Sequence, residues 1–590
     1  MITHRVLIAD ALAHQFRVTL SVPNPAPRQR VSLPVWIPGS YLVREFARHL
    51  SGLEARVGSR AVALEQVDKA SWVVACDGRG ALTLSFLVYA FDPSVRAAFL
   101  DAERGFFNGT SVCLRVEGRE LEAQRLVVSG LPRGWQVATT MTPLRVNAAG
   151  QGAYEAADYD ELVDHPFELG RFWRGRFVAR GIAHEFVVTG ALPDFDADRL
   201  LADTQRLCEA EIAFWHGAPS GRRDAGTAAP PFKRYLFLLN AVDEGHGGLE
   251  HRAGTALIAS RRQLPQRGQA VLSDGYVSLL GLIAHEYFHS WNVKRLRPAE
   301  FTRLDYTREN YTELLWFFEG FTSYYDDLFL VRSGLIDADR YLALVAKTLS
   351  AVLATPGRRV QSVAQASYDA WIKYYRGDEN TPNATISYYA KGSLVALALD
   401  LTVRLGGRGT LDDVMRQLWH ASDGGPISRA DILGALHAIT GRSFEKELAA
   451  WVDGVDELPL APLLQAAGVD WQAQPATLAQ RLGVRVNESA LTGVRVTHVL
   501  AGGPGQRAGL AAGDELLGVG EWRLRRLDDA TRLLPAKGAV TLRVARDQRL
   551  HSLELACPLP AQAHTTPVTL SAAAKAPRAA QALREAWLSG

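Results

Sequence analysis

The 590-residue sequence has few cysteines, almost no excess of charge of either sign and no long hydrophobic run. Its four cysteines form no CxxC pair, which argues against a disulfide framework and against a thiolate metal site. The 65 basic and 63 acidic residues leave a net charge of +2, so no nucleic-acid partner is predicted. No stretch approaches the roughly 18 apolar residues that cross a bilayer, and the N-terminus lacks the apolar core of a secretory signal. We therefore expect a cytoplasmic protein with no membrane segment.

Length and patterning predict a multidomain α+β protein. Residues 1–165 are rich in β-branched and aromatic residues at strand-like length and predict a supporting β-rich domain. Residues 166–465 predict a mixed domain whose C-terminal half is mostly helical. Short strand patterns predict a small β-domain at 470–560. The last segment, 561–590, is an Ala-rich tail, either docked or frayed.

Several individual elements are predicted as well. Residues 36–40 have the composition of a tight turn, and residues 217–231 that of a surface loop. A helix is predicted at 198–214. Strands are predicted at 16–22, 71–76, 82–89, 125–129, 176–189, 235–239, 484–486, 493–499 and 540–544.

The sequence HEYFH at residues 285–289 has the spacing of a helical metal site. Positions four apart on an α-helix lie on the same face, so His285 and His289 can bind one zinc ion through their imidazole nitrogens. Glu286 lies beside them, where a carboxylate can take a proton from a zinc-bound water. Ser273 or Asp274 is predicted to cap the start of this helix.

A catalytic zinc site needs a third protein ligand, and the candidates downstream are Glu309, Glu313 and Glu319. Glu319 lies in an almost wholly apolar run, residues 314–321, where burying a carboxylate is costly unless a partner such as a metal ion is present. We therefore predict that Glu319 is the ligand. Asp326 is seven residues further on, on the same helical face. It is predicted either to orient a ligand histidine or to face solvent.

Two segments together resemble the gluzincin pattern of zinc peptidases, which includes aminopeptidase N and thermolysin. They are HEYFHSW at 285–291 and WFFEGFTSYY at 316–325. The longer segment 285–298 resembles the glycyl aminopeptidase family in particular. The resemblance implies a β-rich N-terminal domain, a thermolysin-like (gluzincin) catalytic domain and a C-terminal PDZ domain. It also implies removal of small N-terminal residues, Gly or Ala, from peptides.

Two shorter matches follow from the same resemblance. Residues 247–251 are similar to the exopeptidase segment of these enzymes, which implies that Glu250, with Gly248 beside it, binds the substrate and that Glu250 holds its free α-amine. Residues 389–392 (YAKG) are similar to the segment whose tyrosine stabilises the oxyanion, which implies a catalytic role for Tyr389. The neighbouring Tyr388 is the alternative donor.

The C-terminal β-domain resembles bacterial PDZ domains through residues 503–514. The resemblance places the carboxylate-binding loop at Leu482, Gly483 and Val484, where a peptide C-terminus would bind backbone N–H groups and add a strand to the sheet. The alternative is a PDZ-shaped module that packs on the catalytic domain and binds no peptide.

The sequence therefore predicts a zinc-dependent aminopeptidase with one Zn²⁺ per chain and peptides as substrates. One alternative is a zinc endopeptidase whose PDZ domain captures substrates. Another is a PDZ adaptor with a vestigial peptidase core.

Overall fold

The computed structural model describes residues 1–76, 80–217, 229–560 and 567–590. Met1–Tyr311 with Ser422–Pro426 form one compact unit, and Thr312–Ala421 with Ile427–Gly590 form a second. The predicted surface loop at 217–231 lies mostly outside the described residues. Within the part of the chain that the structure describes, every helix is too short or too polar to cross a bilayer.

The first unit begins with a β-rich region whose strands alternate buried and exposed side chains, as strands with one face on a core do. One eight-stranded sheet has the order β14-β15-β12-β1-β2-β8-β4-β5, and two four-stranded sheets have the orders β13-β16-β10-β9 and β11-β3-β7-β6. The strands predicted in this region and the turn at 36–40 are confirmed. The elements are β1 (Ile2–Asp10), β2 (Gln15–Val22), β3 (Arg28–Ser32), β4 (Leu50–Val57), β5 (Arg60–Ala61), β6 (Leu64–Asp68), β7 (Ser71–Ala75), β8 (Leu82–Tyr89), β9 (Ala98–Leu100), β10 (Arg104–Phe107), α1 (Gly109–Val112), β11 (Arg115–Val116), β12 (Gln124–Ser129), β13 (Gln136–Thr139), β14 (Thr142–Val146), β15 (Gly152–Ala156), α2 (Tyr159–Val163) and β16 (Phe167–Gly170).

His4 on β1 makes the stability of this region sensitive to acid. Burial lowers the pKa of His4 from its ordinary 6.5 to about 4. The unfolded chain therefore binds more protons between these two values. The stabilisation is fully present above pH 6.5 and is lost as the pH falls toward 4, by about 3 kcal/mol in total. Urea titrations at pH 6.5 and at pH 4 measure the effect. Between these two pH values we expect the free energy of unfolding to fall less for His4→Gln than for the wild type. The exposed His437→Gln should behave as wild type, and equal losses in His4→Gln and wild type would contradict the assignment.

The rest of the first unit is a mixed five-stranded sheet with two helices. Its order is β17-β18-β19-β21-β20, with β18, β19 and β21 parallel and β20 antiparallel at the edge. The strand pattern predicted at 176–189 is a hairpin, because Arg180 and Gly181 adopt positive φ and turn the chain. The elements are β17 (Trp173–Ala179), β18 (Ile182–Thr189), α3 (Ala197–His216), β19 (Arg234–Val242), β20 (His246–His251), β21 (Gly254–Ser260) and α4 (Asp274–Phe288).

The second unit begins with a helical region, as predicted for the C-terminal half of the catalytic domain. Its buried side chains include paired charges: Arg404 donates to Asp400, and Arg332 pairs with Asp412. The helices are α5 (Leu315–Arg332), α6 (Ala338–Leu353), α7 (Val363–Tyr368), α8 (Thr381–Ala384), α9 (Ala390–Leu405), α10 (Leu411–Ala421), α11 (Arg429–Thr440), α12 (Glu445–Leu448) and α13 (Leu460–Ala466).

A small β-module follows, with its own apolar core, and its sheet order is β23-β24-β25-β27-β28 with β26 paired to β25. The strand before the module pairs with the strand after it, β22 with β29. Of the two forms considered for the C-terminal tail, the structure shows the docked one, since Trp587 is buried and donates to Tyr324. The elements are β22 (Val469–Ala473), α14 (Leu478–Leu482), β23 (Val484–Ser489), β24 (Gly493–Val499), α15 (Pro504–Ala508), β25 (Glu515–Val519), β26 (Trp522–Arg523), β27 (Gly538–Arg546), β28 (Arg549–Cys557), β29 (Val568–Ala572) and α16 (Arg578–Ser589).

Candidate metal centre

The helix α4 presents the two histidines of the HEYFH sequence. Of the two predicted caps it uses Ser273, whose hydroxyl accepts from the Tyr276 N–H at 3.1 Å. Its apolar side chains are buried through the last turn, which anchors the helix along its length. The helix ends at Phe288, and His289 is its C-cap. The anchored helix therefore fixes the direction in which both imidazoles project.

The two imidazoles point a nitrogen at a common place. The Nδ1–H of His289 donates to the Asn292 carbonyl at 2.8 Å, which fixes the tautomer and leaves Nε2 as an acceptor. His289 Nε2 lies 3.1 Å from His285 Nε2. Two nitrogens that bind one tetrahedral ion at about 2.0–2.1 Å are roughly 3.3 Å apart, so the observed spacing suits a shared metal.

Glu319 is on α5, and among the three predicted third ligands it is the buried one: it is 2% exposed, whereas Glu313 is exposed and Glu309 half-buried. Glu319 belongs to the second unit, whereas His285 and His289 belong to the first. Asp326 is half-buried two turns further along α5, where its carboxylate accepts from the Asp327 N–H.

Glu286 is buried against the edge strand β20 of the same unit. A Cβ added to Gly248 would lie 2.1 Å from Glu286 Oε1, so only glycine leaves room for this carboxylate. The carbonyl of Gly248 accepts from Arg96 Nη2 at 3.0 Å. The glycine predicted to bind substrate therefore also determines where the Glu286 carboxylate can lie.

Glu250 lies two residues further along β20 and is buried at 5% exposure. A Cβ on Gly39 would lie 2.5 Å from both of its carboxylate oxygens, and Gly39 has φ +89°. The tight turn of the N-terminal region therefore packs its backbone directly on Glu250. The sequence predicts this region only as a supporting domain. The contacts of Gly39 and Arg96 were not predicted, because no local pattern marks them.

A buried charge cluster lies behind Glu250. Asp164 accepts from Lys294 Nζ at 2.6 Å and from the Arg252 N–H at 3.0 Å, and His251 Nδ1 lies 3.3 Å away. Burial alone would raise the pKa of Asp164, but Lys294 and His251 hold it well below its ordinary value. The cluster links Asp164, the C-cap residue of α2, to His251 at the end of β20. These contacts restrict the movement of the strand that carries Glu250.

Tyr389 is brought near Glu319 by two helices that cross at glycines. A Cβ on Gly320 of α5 would lie 2.5 Å from the Cα of Gly392 on α9, so the backbones are in direct contact. Tyr389 is half-buried, and its hydroxyl lies 3.4 Å from that of Tyr375. Burial and the Glu319 carboxylate raise the pKa of Tyr389 well above its ordinary value, so its hydroxyl stays protonated. The neighbouring Tyr388 side chain is fully buried.

In the C-terminal module the predicted peptide-binding residues lie at the junction of α14 and β23. Leu482 ends the helix, Gly483 follows with φ +72°, and Val484 begins the strand. The Gly483 N–H donates to the Gln480 carbonyl, and its own carbonyl accepts from Leu500 N–H at 2.8 Å. The strand β23 is at the edge of its sheet.

Comparison with known proteins gives the class. The M61 glycyl aminopeptidase model matches residues 278–395, the M61 N-terminal domain model residues 3–171, and a PDZ domain model residues 495–546. An aminopeptidase N family protein from Idiomarina loihiensis has a solved structure that is 35% identical, with 100% of both chains covered and a TM-score of 0.92. The fold and site are those of a metallopeptidase. The chain belongs to the M61 glycyl aminopeptidase family, and the predicted fold class is confirmed.

More distant similarities are too weak to carry an argument. A structure of an M1 zinc metallopeptidase from Deinococcus radiodurans is 14% identical over 78% of this chain and 94% of that one, with a TM-score of 0.48. Legionella pneumophila aminopeptidase A, in complex with aspartic acid, is 12% identical over 76% and 49%, with a TM-score of 0.49. No curated protein matches the chain.

Proposed function

We propose that this metallopeptidase is a zinc-dependent aminopeptidase. The observations that carry the proposal are the 3.1 Å spacing of the His285 and His289 Nε2 atoms and the burial of the Glu319 carboxylate in an apolar run. Two imidazole nitrogens and one carboxylate are a ligand set that catalytic zinc sites use, with a further position open for water. One ion per chain would lower the pKa of a water to about 7 and polarise the scissile carbonyl. Asp326, seven residues after Glu319 on the same helix, is proposed to orient one of the two ligand histidines.

Glu286 is proposed as the general base. It takes a proton from the attacking water and passes it to the leaving amine. Its carboxylate is buried against Gly248, which limits the positions it can adopt and holds it ready for transfer.

Tyr389 is proposed to donate its hydroxyl to the oxyanion of the tetrahedral intermediate. Two observations favour it over Tyr388. The Tyr388 side chain is fully buried, whereas Tyr389 is half-buried. Tyr389 is also the N-cap residue of α9, whose Gly392 packs on Gly320, the residue after Glu319. Such a donor typically contributes about 2.7–4 kcal/mol of transition-state stabilisation.

Glu250 is proposed to bind the free α-amine of the substrate, with Gly248 beside it. An ammonium in a desolvated pocket needs an anionic partner, and a partner fixed on a rigid strand sets the distance to the scissile bond. Gly39 and the Asp164 cluster supply that rigidity. The preference for a small first residue, Gly or Ala, is proposed from the family. The division of the chain into domains at 1–165, 166–465 and 470–560 is also proposed from the family.

Peptides with free and acetylated N-termini test this role. We expect the free peptide to be cleaved and the acetylated one to be resistant. Glu250→Gln should lower kcat/KM for the free peptide by about 10- to 150-fold, since a hydrogen bond to a charged group is worth about 1.5–3 kcal/mol. The exposed Glu244→Gln is the matched control. Full cleavage of the acetylated peptide would instead favour a zinc endopeptidase.

The peptide-binding role of Leu482, Gly483 and Val484 remains a prediction. The free edge of β23 suits the addition of a peptide strand. The Gly483 N–H, however, already donates to the Gln480 carbonyl within the module. This favours the alternative in which the module binds no peptide.

A further inference from the structure

In the described residues, the PDZ module (residues 478–559) has two attachments to the helical region of its own unit. The strand before the module, β22, pairs with β29, and β29 is bonded to Ser350 of α6, whose hydroxyl accepts from the Val568 N–H at 2.9 Å. The second attachment is Asn383 of α8. Among the described residues, Asn383 makes the side-chain hydrogen bonds between the module and the helices.

Asn383 uses both ends of its amide. Its Nδ2 donates to the Val499 carbonyl at 2.9 Å, and its Oδ1 accepts from the Ala501 N–H at 2.8 Å. An asparagine side chain supplies both the donor for the Val499 carbonyl and the acceptor for the Ala501 N–H. An aspartate of the same length would place a carboxylate oxygen, which cannot donate, against the Val499 carbonyl. Leu500 lies between Val499 and Ala501, and its N–H donates to the Gly483 carbonyl. The segment that Asn383 contacts is therefore fixed to the rest of the module.

Asn383 is near the end of an exposed segment, which we call the tyrosine loop (residues 372–384). The loop carries Tyr374, whose ring centroid lies 4.9 Å from that of Tyr388 and 5.4 Å from that of Tyr389. It also carries Tyr375, whose hydroxyl lies 3.4 Å from the Tyr389 hydroxyl. Residues 376–380 are exposed, so this loop has little packing of its own to hold the two tyrosines in place.

We propose that the PDZ module is a positioning element of the peptidase site and that Asn383 is its contact. The hydrogen bonds from the module to Asn383 fix the position of the tyrosine loop. The contacts of Tyr374 and Tyr375 with Tyr389 then keep the Tyr389 hydroxyl where it can donate to the oxyanion. This rests on the proposed role of Tyr389. Asn383 is not the module's one attachment among the described residues, because β22 pairs with β29 and β29 is bonded to Ser350 of α6. The two Asn383 hydrogen bonds therefore act mainly on the loop that carries Asn383.

Asn383→Ala tests the proposal in the full-length enzyme. We expect kcat to fall by about 10- to 100-fold with little change in KM, because a small misplacement of a catalytic group is costly for the transition state. Hydrogen–deuterium exchange should become faster across the tyrosine loop and at 385–389. Asn383→Asp, which keeps the size of the side chain, should behave like the alanine variant. Asn487→Ala is the matched control, since Asn487 is an exposed asparagine on β23 of the same module.

A double variant separates this proposal from the proposed function. In a Tyr389→Phe background, Asn383→Ala should cause no further loss of kcat, because it acts through Tyr389. An equal loss in both backgrounds, or unchanged kcat and exchange in Asn383→Ala alone, would overturn the positioning role. Full activity of Tyr389→Phe alone would instead overturn the oxyanion role, while the exchange measurement still decides whether Asn383 holds the loop.

Discussion

Replacing Glu286 by Gln is expected to lower kcat by about 10²- to 10⁴-fold, the range that general acid–base catalysis contributes. Gln has the same shape and fits against Gly248, but it cannot accept the proton of the attacking water. Zinc binding should persist, because His285, His289 and Glu319 are unchanged. Steady-state kinetics and metal analysis on the same preparation provide the two measurements.

The exposed Glu313→Gln is a matched control for this variant and should retain wild-type turnover. Glu313 is on the same chain segment as Glu319 but offers no buried carboxylate. If Glu286→Gln keeps full activity with its zinc bound, the proton acceptor is another group.

Replacing Glu319 by Ala is expected to remove both the metal and the activity. Two imidazoles alone should bind zinc more than about 100-fold more weakly, since even the loss of a group that only orients a ligand costs 10- to 100-fold. The metal-free protein should keep its fold, because the contact between α5 and α9 is made by the backbones of Gly320 and Gly392. Competition with a fluorescent zinc chelator measures the affinity.

Glu309→Ala removes the rival third ligand, which is half-buried, and should bind zinc as the wild type does. Wild-type zinc affinity in Glu319→Ala would show that another residue completes the ligand set. Thermal unfolding of both metal-free proteins distinguishes loss of the ligand from loss of the fold.

The metal-binding group could be predicted because its parts are local. Helical periodicity places His285 and His289 on one face, and the serine before the helix marks its start. The burial of Glu319 could be predicted because it lies in an apolar run, and its role as a metal ligand stays a prediction. Each inference needs only a few neighbouring residues.

The contacts around the site could not be predicted, because they join distant parts of the chain. Nothing near Gly39 indicates that it packs on Glu250, and Arg96 has no pattern that relates it to Gly248. The glycines of the α5–α9 crossing are visible as single residues, but their contact depends on the packing of two helices. The sequence predicts strand at 176–189 but not the turn within it, because Arg180 is an unusual residue at positive φ.

Measurements of zinc content and zinc dependence on the purified wild-type protein decide whether peptide hydrolysis needs the metal. We expect one zinc ion per chain, loss of peptide hydrolysis when a chelator removes it, and recovery when zinc is returned. Full peptidase activity in a preparation free of bound zinc would show that the protein is not a zinc peptidase.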